Sequence, residues 1–311
     1  MKNNDIVVIG AVFVDIKGFP LGQFVPTGRN AGRIEQVHGG VCRNIAEDIG
    51  NLGLRPTLVS LVDDTGIGED VIAKLERHKV NTKYMRKVPD GMGTWLVVFN
   101  NEGDVAASIS KRPDLMPIAD ILDENGDEIF SNCESVCFEI DIEKEIAKRI
   151  FALAEKYGRK VYCAVSNMSI AAERRELIRR TDCFVCNIQE AGILFSEDYS
   201  RKTPGEMLEI LRAKLDTDEI NSMVVTMGGD GAVYADRNGS GGICPAKDVR
   251  VKDTTGAGDS FFAGVAAGLT YGKSLAEASE IGSKLAASVI ATTESVCPRF
   301  LPGEMGISSD N

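Results

Sequence analysis

The strongest constraint on the fold is an alternation. Short β-rich runs at 6–10, 57–62, 135–139, 160–164, 183–187 and 222–226 are separated by segments with helical apolar spacing. Those segments lie at 41–52, 68–78, 144–157, 204–215, 259–269 and 275–291, and Ser274 with Glu277 forms a capping box that opens the last one. A strand returning to a parallel neighbour needs a crossover long enough to hold a helix. The order therefore predicts βαβ units, with a mostly parallel sheet flanked by helices. At 311 residues the chain is long enough for a substantial core. No repeat, low-complexity tract or long linker divides it.

Two stretches break the alternation. Residues 94–100 and 104–110 are strand-like and joined by Asn101-Glu102-Gly103, a hairpin signal. Residues 12–38 are rich in Gly and Pro, with short β-like pieces between them. Neither suits a parallel core, and both fit a small antiparallel flap over one end of the sheet, built from about 12–38 and 92–113. The plainer alternative is two surface hairpins. Trp95 on this flap is either a dimer contact or a stacking surface.

A net charge of −11 argues against a nucleic-acid surface, which needs clustered Lys and Arg. Any anionic ligand must then be held by local N–H dipoles, metal ions and a few basic residues. No run reaches the roughly 18 apolar residues of a membrane span. Met1-Lys2-Asn3-Asn4-Asp5 leads straight into a strand-like run, unlike a secretory signal, so a cytoplasmic protein is expected. The 8 cysteines are scattered. Cys183 and Cys186 have metal-like spacing, but on a strand they face opposite sides, and buried thiols are the expected outcome.

The chemistry concentrates at 253–264, Asp-Thr-Thr-Gly-Ala-Gly-Asp-Ser-Phe-Phe-Ala-Gly. Small residues free backbone N–H groups, and an apolar helical run follows through Phe261, Phe262, Val265 and Leu269. A helix N-terminus of this kind favours an anion. Asp259 in its first turn would repel a phosphate that was merely held there. It fits a hydroxyl that loses its proton while attacking a phosphoryl group on Gly256, Ala257 and Gly258. An aspartate of ordinary pKa ~3.9 cannot ionise an alcohol beforehand, but in a loose transition state the proton moves late. Helix capping is the structural alternative for Asp259.

This segment, Gly39-Gly40-Val41-Cys42-Arg43-Asn44, Asn187-Ile188-Gln189-Glu190 and Thr226-Met227-Gly228-Gly229-Asp230-Gly231 together resemble the signatures of one family, in its order. That family is the ribokinase-like (phosphofructokinase B-type) carbohydrate and nucleoside kinases. The resemblance implies a three-layer α/β fold with a β-lid that covers the sugar and can mediate a homodimer. It implies transfer of the γ-phosphoryl of ATP to a primary hydroxyl, with Mg2+ and in some members K+. Asp259 would be the base. Asp15, Gly39, Gly40 and Asn44 would lie on the sugar side, and Glu139 near the substrate or the phosphoryl group. Asn187, Thr226, Gly228 and Gly231 would face the nucleotide phosphates, and Glu190 would order magnesium through water. Asp253 and Thr255 would help to bind potassium. Ordinary readings stand beside these: a helix cap for Asn187 and Glu190, a hairpin turn for 226–231, an extended strand for Thr254 and Thr255, and a solvent-facing strand end for Glu139.

Within the family the chain is most similar to the pseudouridine kinase branch, because Arg43 precedes Asn44 where ribokinases usually have a small residue. Residues 163–166 lack that branch's Asp-Pro, and 110–114 differ from its lid exit. The expected acceptor is thus the 5′-hydroxyl of a base-bearing substrate, pseudouridine first. A ribokinase- or fructokinase-type sugar kinase and a catalytically idle sugar- or nucleoside-binding protein are the alternatives. Lys111 and Arg112 either close over phosphates or substrate or are solvated loop charges, and the second is the expectation. Residues 267–274 satisfy a relaxed P-loop pattern but follow a helix rather than a strand, which the P-loop mechanism does not allow. No G-x-G-x-x-G supports a dinucleotide enzyme.

Overall fold

The computed structural model describes residues 5–307. Strand β1 (Ile6–Ile9) leads into a hairpin of β2 (Phe13–Pro20) and β3 (Gly32–Gly39), after which α1 (Val41–Asn51) begins. Next come β4 (Thr57–Val62), α2 (Gly66–Arg77) and β5 (Asn81–Lys87), then a second hairpin of β6 (Gly93–Phe99) and β7 (Val105–Lys111). The chain continues through α3 (Pro117–Ser131), β8 (Ser135–Glu139), α4 (Lys144–Tyr157) and β9 (Lys160–Ala164). Short α5 (Met168–Ala172) and α6 (Arg175–Ile178) precede β10 (Cys183–Asn187), α7 (Ile188–Phe195), α8 (Pro204–Thr217) and β11 (Ser222–Thr226). Finally β12 (Ala232–Asp236) and β13 (Gly241–Cys244) are followed by α9 (Ala257–Thr270) and α10 (Leu275–Ile290).

The main sheet has nine strands in the order β13-β12-β11-β10-β9-β8-β1-β4-β5. Strands β5 through β11 in that row pair in parallel, and β12 and β13 add an antiparallel edge. From β1 the chain steps outward through β4 and β5, and from β8 it steps the other way. The strand order thus reverses between β1 and β8. Such a reversal opens a crevice at the carboxyl ends of the strands, where open α/β sheets take their ligands.

Both faces of the central strands are buried, which explains their unbroken apolar sequences. Val7, Ile9, Val136 and Phe138 pack with Ile118, Ile146 and Ile150 of α3 and α4. Ile6, Val8 and Cys137 pack on the other face with Ile45, Ile49, Phe262 and Leu285 of α1, α9 and α10. Each such side chain contributes roughly 1.5–3 kcal/mol on burial. Cys183 belongs to one layer and Cys186 to the other, as strand alternation requires.

The two hairpins form a separate four-stranded sheet in the order β3-β2-β6-β7. Each hairpin is antiparallel, and the seam between β2 and β6 is parallel. Trp95 pairs directly with Asp15, and Leu96 pairs with Ile109, so Trp95 shares a face with Asp15 and Leu96 lies on the opposite one. That opposite face leaves Leu96 and Ile109 exposed, at 42% and 70%.

Besides the short α5, α6 and β13, helix α3 and strand β5 escape the sequence reading. Helix α3 is interrupted by the polar run Asp123-Glu124-Asn125-Gly126-Asp127-Glu128, yet Ile118, Ile121, Leu122, Ile129 and Phe130 keep helical spacing and are buried. Strand β5 is Asn-Thr-Lys-Tyr-Met-Arg-Lys, polar enough to read as a loop because it is an edge strand beside β4 alone. Residues 267–274 close α9, which ends at Thr270, and then open α10 through the Ser274–Glu277 capping box. Among the described residues no helix is long and apolar enough to cross a membrane.

Candidate active site

The crevice is assembled from strand ends and two helix N-termini. Gly256 precedes α9 with φ 80°, and Asp259 lies in that helix's first turn. A Cβ at Gly256 would collide with the Ser295 carbonyl oxygen, so only glycine allows both this backbone conformation and the close approach of the 295–297 strap. The N–H of Ala257 turns back to Thr254 O at 3.2 Å, contrary to its expected role as a free donor. The N–H groups of Gly256, Gly258 and Asp259 have no hydrogen-bond partner among the described residues. The open donors of this turn thus include Asp259's own amide, while that of Ala257 is taken up by the entering turn.

Helix α1 grips α9 with two residues one turn apart. Asn44 Nδ2 donates to Asp259 Oδ2 at 2.7 Å, and Asp48 Oδ2 accepts from Ser260 Oγ at 2.6 Å. Asp48 Oδ1 also accepts from Cys297 N at 2.6 Å, and Asn51 Nδ2 donates to Cys297 O at 2.7 Å. The strap that presses on Gly256 is thereby sewn to α1. Asn44 Oδ1 is buried with no partner. A buried acceptor left open beside Asp259 is a natural partner for a ligand hydroxyl.

On the sugar side, Gly39 ends β3 and an added Cβ would lie 2.6 Å from both carboxylate oxygens of Asp15. The missing side chain lets that carboxylate rest against the backbone. Gly40 has φ 99° and opens α1. Glu139 is only 9% exposed, not a solvent-facing strand end, and lies close enough to Cys42 to bond its thiol.

Carboxylates crowd the crevice, and their acidities record it. Burial raises Asp259 to about 6; Asn44 and Arg43 oppose this, while Asp15 and Glu190 add to it. Burial and then Asp141 raise Glu139 to about 7. Asp48 is raised to about 7 by burial, against the bonds from Ser260 and Cys297. Asp15 and Glu190 are also raised by burial. Like charges in one desolvated site favour the arrival of a cation or of hydrogen-bond donors.

The residues expected to face a nucleotide lie along the same strand edge. Asn187 and Glu190 form a capping box: Glu190 N donates to Asn187 Oδ1 at 2.9 Å, and Asn187 N donates to Glu190 Oε2 at 2.7 Å. The amide Nδ2 of Asn187 has no partner among the described residues. Thr226 ends β11, and the 228–231 turn is closed by Met227 N to Gly231 O at 2.7 Å. Gly228, at φ 60°, has open space around it. Asp253 Oδ1 accepts from Thr255 N at 2.8 Å, folding that carboxylate onto the loop.

Arg112 is an exposed loop charge, yet it is also anchored: its Nη2 lies 2.8 Å from Asp141 Oδ2 and 3.0 Å from Ser166 Oγ. Asp141 is buried and also accepts from Ser166 N at 2.9 Å, so it ties the end of the lid to the core beside Glu139. Lys111 is exposed and pairs with Asp90 at 2.8 Å. Asp48, Asp141 and Ser260 were not singled out from sequence. Only Asp48 left a trace there, four residues after Asn44 on the same helical face.

Known proteins match this arrangement. The description "pfkB family carbohydrate kinase" matches residues 3–298. The guanosine-inosine kinase of Exiguobacterium acetylicum is 35% identical over 293 residues, covering 94% of this chain and 96% of that one. The pseudouridine kinase of Escherichia coli (strain K12) is 25% identical over 280 residues, covering 89% and 88%. Arabidopsis thaliana ribokinase, solved with ribose and ATP, superposes with a TM-score of 0.83 at 20% identity over 97% of this chain and 98% of that one. This last likeness speaks for the fold.

Proposed function

The chain belongs to the pfkB family of carbohydrate kinases, enzymes that phosphorylate hydroxyl groups, and from that premise we propose that it phosphorylates the 5′-hydroxyl of a purine nucleoside. Asp259 carries this reading: its carboxylate, oriented by Asn44, stands in the same helical turn as the unpartnered N–H groups of Gly256, Gly258 and Asp259. The acceptor oxygen forms a bond to the γ-phosphorus of MgATP while the bond to ADP breaks. The acceptor's proton passes to Asp259, and the free amides take the charge of the migrating phosphoryl group. Ala257 shapes the turn that presents them. Asp15 and the open Oδ1 of Asn44 receive sugar hydroxyls beside Gly39 and Gly40, and Glu139 borders the acceptor.

Asn187 Nδ2, Thr226 and the turn from Gly228 to Gly231 would face the nucleotide phosphates. Among the described residues no cluster of three or more ligating side chains could hold a metal. Glu190 would order a magnesium ion through water, and the ion would supply positive charge to the transferring phosphoryl group. Asp253 and Thr255 would hold a monovalent cation beside the loop, and adding KCl to the assay tests it. Residues 1–311 would act as one cytoplasmic kinase domain with a lid.

The 35% identity to a guanosine-inosine kinase puts guanosine and inosine ahead of pseudouridine, where the identity is 25%. Trp95, on the lid face that carries Asp15, offers a stacking surface to a base. An ADP-release panel of guanosine, inosine, adenosine, uridine, pseudouridine, ribose and fructose decides. The reading expects guanosine or inosine to exceed ribose at least tenfold in kcat/KM, a gap of about 1.4 kcal/mol. Turnover of ribose or fructose alone would make it a sugar kinase, and no turnover would make it a binding protein.

The exposed Leu96 and Ile109 on the outer lid face support a homodimer through the lid. Ile109→Glu should then convert a dimer to a monomer in analytical ultracentrifugation. A wild-type monomer would refute the pairing.

A further inference from the structure

Arg43 is the one basic residue of the N-terminal signature, and the reaction scheme above leaves it without a task. It is 1% exposed, beside the catalytic crevice of a chain with net charge −11. A guanidinium is rarely enclosed so fully unless each side of it is satisfied. Here Nη1 meets Glu47 Oε2 at 2.5 Å, Nε donates to Gly39 O at 3.3 Å, and Nη2 donates to His38 O. Two of the three contacts thus hold the last carbonyls of β3, where the lid passes into α1 through Gly39 and Gly40.

We infer that Arg43 is a positioning residue: it staples the Gly39–Gly40 turn to α1 and supplies the fixed positive charge that Asp15 and Asp259 share. This rests on the kinase reading for its consequence, though not for its geometry. The next residue, Asn44, holds Asp259 directly, so the staple and the residue that orients the base sit on one turn of α1. Against the upward push of burial, Arg43 lowers the pKa of Asp259 after the Asn44 bond, and it lowers that of Asp15 after Lys17 of β2. Its own surroundings are closed. Glu47 on α1 is fully buried and is shared with Lys74 of α2 at 3.3 Å and with His78, just past the end of α2, at 3.7 Å. His38 lies on β3 and pairs with Asp70 at 3.2 Å. Asp259 is faced in addition by Glu190 of α7, Glu139 of β8 and Asp48 of α1. Among these described residues Arg43 is the cation set against the Asp259 carboxylate, while Lys17 of β2 faces Asp15 and Asp253.

The two members of the ion pair give opposite tests. Arg43→Met with Glu47→Met removes both charges, a replacement that buried pairs often tolerate. Glu47→Gln leaves the guanidinium in place without its counterion. The Asp259 titration is read by 13C-carboxyl NMR of aspartate-labelled protein, assigned with Asp259→Asn, and needs no turnover. The double variant should move the Asp259 midpoint up by about 1 pH unit, and Glu47→Gln should move it down. In ADP-release assays on the nucleoside that the wild type accepts, the double variant should raise the acceptor KM about tenfold through the loosened turn. An unchanged Asp259 midpoint in both variants, or shifts of the same sign, would overturn the inference. If the double variant does not fold, the sign seen in Glu47→Gln decides alone. A wild type that turns over nothing in the panel would sink the kinase reading while leaving the NMR test intact.

Discussion

Asp259→Asn should lower kcat by about 10²–10⁴-fold, the range that a positioned general base supplies. Asparagine has nearly the same shape as aspartate and keeps an oxygen for Asn44 Nδ2, which donates at 2.7 Å in the parent protein. The α1–α9 contact through Asp48 and Ser260 is untouched by the change. Calorimetric affinities for nucleoside and MgATP should therefore stay within a few-fold of wild type, so the loss appears in kcat rather than in binding. Loss of an interaction made only in the transition state has that signature. A variant with kcat within threefold of wild type would remove Asp259 from the chemistry.

The second large effect is expected at Gly256. Alanine there must adopt φ 80°, a left-handed conformation costing roughly 1–2 kcal/mol, and its methyl group must displace the Ser295 carbonyl. Both changes twist the turn that aims the free amides. Misplacing one donor of this type costs about 10²–10³ in rate. Gly256→Ala should accordingly lose about that much kcat together with several degrees of melting temperature. Gly258→Ala is the control, because nothing lies within 4 Å of its Cβ position, so its melting temperature should hold. Equal melting losses in the two variants would show that the Ser295 contact does not shape the loop.

The sequence showed most where one residue type answers to one local cause. Strands β1, β4 and β8 to β11 were legible within a residue because burial on both faces leaves continuous apolar runs. The Ser274–Glu277 cap was legible because its whole geometry fits in four residues. Helix α3 was hidden by its polar outer face and Gly126, and β5 by its edge position. At the site, Asp259 and Asn44 could each be nominated from a motif, yet their bond joins residues 215 positions apart. The Asp48–Ser260 bond spans 212 positions, and nothing local to either residue announces it. The pairing of exposed Arg112 was hidden for the same reason: its partner Asp141 is buried just past the end of another strand. The capping role of Asn187 leaves room for the proposed ligand-facing one, since its amide accepts with Oδ1 and can still offer Nδ2.

The central claim is that the acceptor gives its proton to Asp259 while main-chain amides hold the phosphoryl group. The pH dependence of kcat/KM for the nucleoside, wild type beside Asp259→Asn, tests it most directly. A base works only when ionised, and burial places Asp259 at about 6. Wild-type kcat/KM should climb with pH through about 6 and level off above it. In Asp259→Asn the residual rate should lack that climb. The same acid limb persisting in the variant would mean that another group takes the proton.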